Sequence, residues 1–193
     1  MQKRIRVGKL EKLQHKLTTM TAQERLQWAG NLFGTKAVAT ACLGADCAVM
    51  LHMMSEASPE SRVFVIASGD VSPETQTVVE AMQKRLGLEV KLLDLYGASA
   101  EKAVDSGEGL TLALDDAFCW ISDARRSQTF GNAEASVLEQ LDDGLYQLNP
   151  LFDWSQEEVE AYREQHDLPR PSHEGWRAAE QGRAAFEAQH LAR

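Results

Sequence analysis

The stretch Lys36 to Ser55, KAVATACLGADCAVMLHMMS, holds the densest set of residues that could do chemistry. A short apolar run, Ala37 to Ala41, breaks into Cys42-Leu43-Gly44-Ala45-Asp46-Cys47 and resumes as Ala48, Val49, Met50, Leu51, Met53 and Met54. The first run has the length of a buried strand and the second that of a helix, so Gly44 sits on a strand-to-helix turn. Such a turn gathers free backbone N–H groups and the positive end of a helix dipole, which suits phosphate. A lone glycine in this position is common in α/β proteins and by itself proves little. The turn is neither a Walker A loop, since no Gly-Lys-Ser/Thr follows, nor a GxGxxG fingerprint. A second polar stretch, Ser122-Asp123-Ala124-Arg125-Arg126-Ser127-Gln128-Thr129, follows the apolar run Ala117 to Ile121. A loop just beyond a strand's carboxyl end places Arg125, Arg126 and Gln128 at the ligand edge of a sheet. In an acidic chain the same arginines could equally pair with carboxylates.

The elements that must carry these residues can be read in chain order. Residues 4 to 18 place Ile5, Leu10, Leu13 and Leu17 at mostly helical spacing, predicting an amphipathic helix with a basic outer face. Thr21-Ala22-Gln23-Glu24 has the form of a capping box, and a helix through about Leu32 should follow. Arg62 to Ala67 reads as a second buried strand ending in Ser68-Gly69-Asp70. Pro73 stands near the start of a helix whose buried stripe is Val78, Val79, Met82 and Leu86, with Gly87 as its stop. Glu89 to Leu95 alternates toward a third strand. Tyr96 to Leu114 has no clean period and is expected to be a loop or short helix. Ala117 to Ile121 predicts another strand. Asp153 to Glu158 contains a second capping box, opening a helix with Val159 and Tyr162 that ends near His166. Residues 174 to 192 predict a mostly exposed C-terminal helix. Strands alternating with helices predict an α/β fold with a parallel sheet covered on both faces. The expected organisation is one domain over residues 1–193, with an N-terminal helix in 1–20 and a C-terminal helix in 174–193.

Composition narrows the function. The 193 residues are 44% hydrophobic and 25% charged, as in an ordinary soluble protein. No apolar run approaches the roughly 20 residues of a membrane helix. The start MQKRIRVGKLEKLQHKL is basic but lacks the apolar region of a signal peptide, so a cytoplasmic location is expected. A net charge of −9 offers no general attraction to nucleic acid. Cys42, Cys47 and Cys119 form no CxxC pair and no Cys/His cluster at zinc spacing, so neither a disulfide framework nor a structural metal is expected. Cys119 lies inside an apolar run, as an inert core thiol would. Cys42 and Cys47 flank a helix N-terminus, which favours thiolate, but small buried residues are the simpler reading for both.

In this order and spacing, over about residues 25 to 170, the motifs resemble the phosphoadenosine phosphosulfate (PAPS) reductase family. Cys42-Leu43-Gly44-Ala45-Asp46-Cys47 with Leu51-His52 is similar to that family's Ser-Phe-Gly-x-x-Ser phosphate loop and following Leu-His. Ala67-Ser68-Gly69 and Glu74-Thr75 match its Asp-Thr-Gly and downstream Glu-Thr. Trp120 and Arg125-Arg126-Ser127-Gln128-Thr129 match its Trp-containing strand and Arg-Arg-x-Gln-Ser loop. Asn149-Pro150-Leu151-Phe152-Asp153-Trp154 matches its Asn-Pro-Leu-x-Asp-Trp, and Val159, Tyr162 and His166-Asp167-Leu168-Pro169 continue in step.

The resemblance implies the three-layer α/β/α fold of the adenine nucleotide α-hydrolase-like proteins. It implies a sulfonucleotide or adenine nucleotide held by residues 42–47, Ser68, Gly69, Arg125, Arg126 and Gln128. The departures bear on chemistry. Both serines of the loop are Cys42 and Cys47 here, which weakens hydroxyl donation but leaves the backbone N–H groups. Asp46 adds a negative charge and resembles the Ser-Gly-Gly-x-Asp-Ser loop of ATP pyrophosphatases, which keeps a Mg²⁺-nucleotide open. The family's Glu-Cys-Gly-(Leu/Ile)-His tail has no counterpart, since no cysteine follows Cys119. The cysteine pairs that hold an iron–sulfur cluster in the adenylyl-sulfate branch are absent too, and an arginine expected after the Arg-Arg motif is replaced near Asn132. The leading expectation is a nucleotide-binding member without the usual thiol chemistry and without an iron–sulfur cluster. An active reductase of sulfate assimilation, a Mg²⁺-dependent ATP-pyrophosphatase-like transferase and a non-catalytic partner protein remain open, as does a homodimer.

Overall fold

The computed structural model describes residues 7–42, 45–67, 73–94, 113–128, 135–141 and 144–169. Leu43, Gly44, Ser68, Gly69, Thr129 and Asn132 lie outside them, as do most of the Tyr96 to Leu114 stretch and the expected helix of residues 174–192.

Two helices come first, α1 (Val7–Thr18) and α2 (Ala22–Phe33). The capping box forms as the sequence predicts. Thr21 Oγ1 accepts from the Glu24 N–H at 3.2 Å, and Glu24 Oε2 accepts from the Thr21 N–H at 2.7 Å. These bonds hold the Glu24 carboxyl below its ordinary pKa. Strand β1 (Ala37–Cys42) leads into α3 (Ala45–Ala57), then β2 (Arg62–Ala67), α4 (Pro73–Leu86) and β3 (Val90–Asp94). Gly87 follows α4 at φ 65°, the left-handed conformation that lets a helix stop in one residue. Strand β4 (Cys119–Ser122) precedes a single 3₁₀ turn at Arg126–Gln128. The chain continues through β5 (Leu138–Gln140), β6 (Tyr146–Leu148) and α5 (Gln156–Gln165).

The strands form one sheet in the order β3-β2-β1-β4-β6-β5. All neighbours are parallel except β5, which runs antiparallel to β6 at the edge. From β1 the chain winds outward through β2 and β3, then returns to the other side of β1 with β4. Beyond the carboxyl ends of β1 and β4 the connections diverge, and in open α/β sheets that crevice is where ligands bind.

Alternation along the central strands sorts the core into two faces. Ala37, Ala39 and Ala41 of β1, Val63 and Val65 of β2, and Cys119 and Ile121 of β4 face the larger cluster. That cluster includes Leu17, Leu26, Val79 and Val159 from four helices, with Met50, Leu51, Met53 and Met54 of α3 at its centre. Val38, Phe64 and Trp120 face the opposite way, into a smaller cluster with Ala113, Ala117 and Leu145. Small alanines on β1 let α3 lie close to the sheet, so its start is fixed relative to the strand ends. Across the sheet, Trp120 Nε1 donates to Thr40 Oγ1 at 2.7 Å, satisfying two buried polar groups and locking β4 beside β1.

Candidate functional site

Three chain segments meet at the carboxyl edge between β1 and β4. The first is the opening turn of α3. Asp46 is its second residue, and an acidic side chain there is favoured by the helix's own dipole. The second is the stretch after β4, which turns at Arg126–Gln128 and so presents Arg125 and Gln128 from one compact bend. The third is the first turn of α5, which begins at Gln156.

Side chains knit the three together. Arg125 Nε lies 3.0 Å from Asp46 Oδ1. Its Nη2 donates to Gln156 Oε1 at 2.7 Å and approaches Asp46 Oδ2 at 3.4 Å. Gln128 Nε2 donates to Asp46 Oδ2 at 2.7 Å, while Gln128 Oε1 accepts from the Arg125 N–H at 3.0 Å. Both charged groups are sequestered, with side chains 5% exposed for Arg125 and 11% for Asp46. Yet Arg125 Nε and Asp46 Oδ1 are each left without a hydrogen bond. They are close, but the N–H does not point along the line between them, so the contact is Coulombic and a strong donor is left unspent.

The arginine pair therefore divides. Arg125 turns onto α3, whereas the Arg126 guanidinium lies over the Phe152 ring, 5.0 Å from its centroid. The Arg126 N–H donates to the Phe152 carbonyl at 2.9 Å, which carries the bend onto the segment before α5. Successive residues entering a 3₁₀ turn project in different directions, so adjacency in sequence does not put two side chains at one target. Among the expected loop residues, Asp46 and Cys47 are both buried. The backbone of Cys42 ends β1 and that of Ala45 begins α3.

Gln156 is the site residue that sequence reasoning missed. It looks like any polar first-turn residue after a capping box, and nothing local marks it as the partner of an arginine thirty-one positions earlier. Its position is set by that box, in which Ser155 Oγ accepts from the Glu158 N–H and Glu158 Oε2 from the Ser155 N–H.

The Asn149-Pro150-Leu151-Phe152-Asp153-Trp154 motif acts as scaffold. Asn149 is 1% exposed, and its Nδ2 donates to the Ser136 carbonyl at 2.8 Å, joining the end of β6 to the start of β5. Arg25, also 1% exposed, donates from Nη1 to the Pro150 carbonyl at 2.8 Å and grips both oxygens of Asp153 at 2.6 and 2.7 Å. Hydrogen bonds from Arg25 hold the Asp153 carboxyl below its usual range. Behind the site, His52 Nδ1 and Tyr162 Oη are 3.0 Å apart, and the His166 ring stacks on Tyr162. Burial lowers the pKa of His52, with His166 and Arg85 adding to the effect and Glu56 opposing it.

Cys47 and Cys119 are both buried, and burial pushes the Cys119 thiol far above its ordinary value. No group of three or more His, Cys, Asp or Glu residues that could hold a metal ion occurs among the described residues. No helix among them is long and apolar enough to cross a membrane.

Comparison with known proteins gives this geometry a context. A phosphoadenosine 5′-phosphosulfate reductase from Photobacterium profundum is 29% identical over 181 residues, which cover 83% of this chain and 71% of the relative. Among solved structures, phosphoadenylyl-sulfate reductase from Candida auris, in a phosphate complex, superposes with a TM-score of 0.65 at 19% identity, covering 89% of this chain and 92% of that one. The FMN adenylyltransferase of Candida glabrata, in complex with ATP, superposes at 0.55 with 15% identity over 78% of this chain and 54% of that one. These likenesses establish a fold of the adenine nucleotide α-hydrolase kind. The phosphoadenosine phosphosulfate reductase domain matches residues 36–172, a span that contains the whole sheet, the Asp46–Arg125 junction and α5, and the chain belongs to that family.

Proposed function

We propose that this chain binds an adenine nucleotide or sulfonucleotide at the carboxyl edge of the sheet between β1 and β4. The observation that carries the reading is the convergence of α3's first turn, the bend after β4 and the start of α5 on one buried guanidinium, Arg125. Anionic oxygens are the natural partners of such a group, and the crevice where an α/β sheet changes winding direction is where they are met. In this reading the backbone from Leu43 to Cys47 and the Arg125–Gln128 bend hold phosphate, Arg126 adds positive charge at the rim, and Ser68-Gly69 read the base. A cytoplasmic setting suits such a ligand.

Binding without thiol attack is favoured by the burial of Cys47 and Cys119, since a nucleophilic cysteine needs exposure and a lowered pKa. A resident Mg²⁺ is a poor fit to the described side chains. Asp46 is a single carboxylate already facing a guanidinium, and a cation there would meet Arg125 at close range.

Calorimetric titration with PAPS, adenosine 3′,5′-bisphosphate and ATP, each with and without Mg²⁺, tests the proposal. Saturable heat from at least one of them is expected, and no heat from any at millimolar ligand would remove it. An active reductase is the second reading, favoured by 27–29% identity to PAPS reductases over most of the chain. Thioredoxin-dependent release of sulfite from PAPS would establish it.

A further inference from the structure

Asp46 stands where an incoming anion would have to go. The first turn of α3 and the Arg125 guanidinium both attract negative charge, and the Asp46 carboxylate already supplies it to both. Gln128, which could donate to a ligand oxygen, donates instead to Asp46 Oδ2 at 2.7 Å. The substitution is imperfect. Arg125 Nε–H makes no hydrogen bond although it is buried beside a carboxylate, and Asp46 Oδ1 accepts none. A buried donor left unspent raises the free energy of this arrangement, and an oxyanion able to align with both Nε and Nη2 would relieve it.

We propose that Asp46 is a built-in counter-anion, an internal competitor that occupies Arg125 and must swing aside for a phosphate to take its place. It thereby sets the site's affinity and selects ligands whose anionic group can outbid a carboxylate for the fork of Arg125. The inference rests on the reading of this edge as an anion site. Gln156 and Gln128 are neutral and hold Arg125 through Nη2 and the backbone N–H, by bonds that do not need the Asp46 charge. The guanidinium can therefore exchange one anion for another without moving its bend.

The test is the isosteric variant Asp46→Asn, which keeps an acceptor for Gln128 and removes the charge. Adenosine 3′,5′-bisphosphate is titrated into the unaltered chain, D46N and the double variant D46N/R125Q. Removing a negative charge within about 4 Å of the bound anion should tighten binding about tenfold or more in D46N. The gain should vanish in D46N/R125Q, because it is realised through Arg125. If the unaltered chain binds and D46N binds no tighter, the counter-anion inference falls while the nucleotide site stands. If neither binds at millimolar ligand, both fall. D46N strands a buried guanidinium and will be less stable, so its melting temperature is also followed against inorganic phosphate. Phosphate should raise it by more than it raises that of the unaltered chain, and an equal or smaller rise overturns the inference.

Discussion

Replacing Arg25 by Met removes the clamp that ties the helical start of the chain to the segment leading into α5. Met keeps most of the stem volume, so the loss is chiefly polar. Arg25 donates from Nε to the Leu17 carbonyl at 2.9 Å, from Nη1 to the Pro150 carbonyl at 2.8 Å, and from two nitrogens to Asp153. The Leu17 carbonyl still accepts from the Met20 N–H, so it is not orphaned. The Pro150 carbonyl loses the Arg25 donor, a cost of about 1–3 kcal/mol if it is left unsatisfied. The Asp153 pair is strong in geometry, but its carboxylate is 45% exposed and can rehydrate, so about 1–2 kcal/mol is assigned to it after screening. The sum is about 3 kcal/mol, at the lower end of what breaking a buried pair costs. For a chain of this size that corresponds to a fall in Tm of about 6–12 °C. Urea denaturation should show a lower midpoint at unchanged slope. The acid limb supplies a second reading. Asp153 has a folded pKa below its unfolded value, so as the pH falls the unfolded chain takes up this proton first. The stability from this pair is complete above about pH 4 and is lost as the pH drops through the folded pKa. R25M should lose that part of the acid dependence. A stability change under about 1 kcal/mol, within the range of ordinary surface substitutions, would refute the clamp.

Gly30→Ala should destabilise the chain by about 1–3 kcal/mol through overpacking, although alanine is the better helix former. Its Cβ would lie 2.3 Å from Ser58 Oγ and 2.9 Å from Ser58 Cβ, and Ser58 is buried and bonded to Ser61 Oγ at 2.5 Å. Thermal melting of G30A checks this: a lower Tm is expected, and an unchanged or raised Tm would refute the overpacking. Because the folded pKa of His52 is lowered, the unfolded chain binds its proton first below about pH 6.5. Stability should therefore decline as the pH falls below about 6.5, and H52N should flatten that decline; an unchanged slope in the variant would place the titration elsewhere.

Local patterns carried most of the architecture. The alternation in β1, β2 and β4 is visible because each strand serves two apolar clusters. Both capping boxes are readable because their partners are three residues apart. Strand β5 was invisible, since Leu138–Gln140 is too short to display a period and gains its identity only by lying antiparallel to β6. The site shows the same division. The strand-to-helix turn and the Arg125–Gln128 bend were legible one at a time. That Asp46 and Arg125, 79 positions apart, would neutralise each other was not, because pairing across a sheet edge is decided by topology. In the Arg-Arg doublet, neighbours in sequence diverge as the 3₁₀ turn sets their directions, which adjacency alone does not show.

The position of Arg125 follows from packing some distance away. Its Nη2 is held by Gln156, and Gln156 is placed by the Ser155–Glu158 cap at the start of α5. Asp153, two residues ahead of that cap, is gripped by Arg25 from α2. On the other side, Phe152 accepts from the Arg126 N–H and lies beneath the Arg126 guanidinium, so the same segment steadies the bend that carries Arg125. A guanidinium fixed from both sides has lost its conformational entropy before any ligand arrives, which lowers the cost of binding an anion. The side chain left to adjust is then that of Asp46, a short group on the opening turn of a helix. The Asn-Pro-Leu-x-Asp-Trp segment, which looks like a recognition motif, thus serves the site through the aim of one arginine.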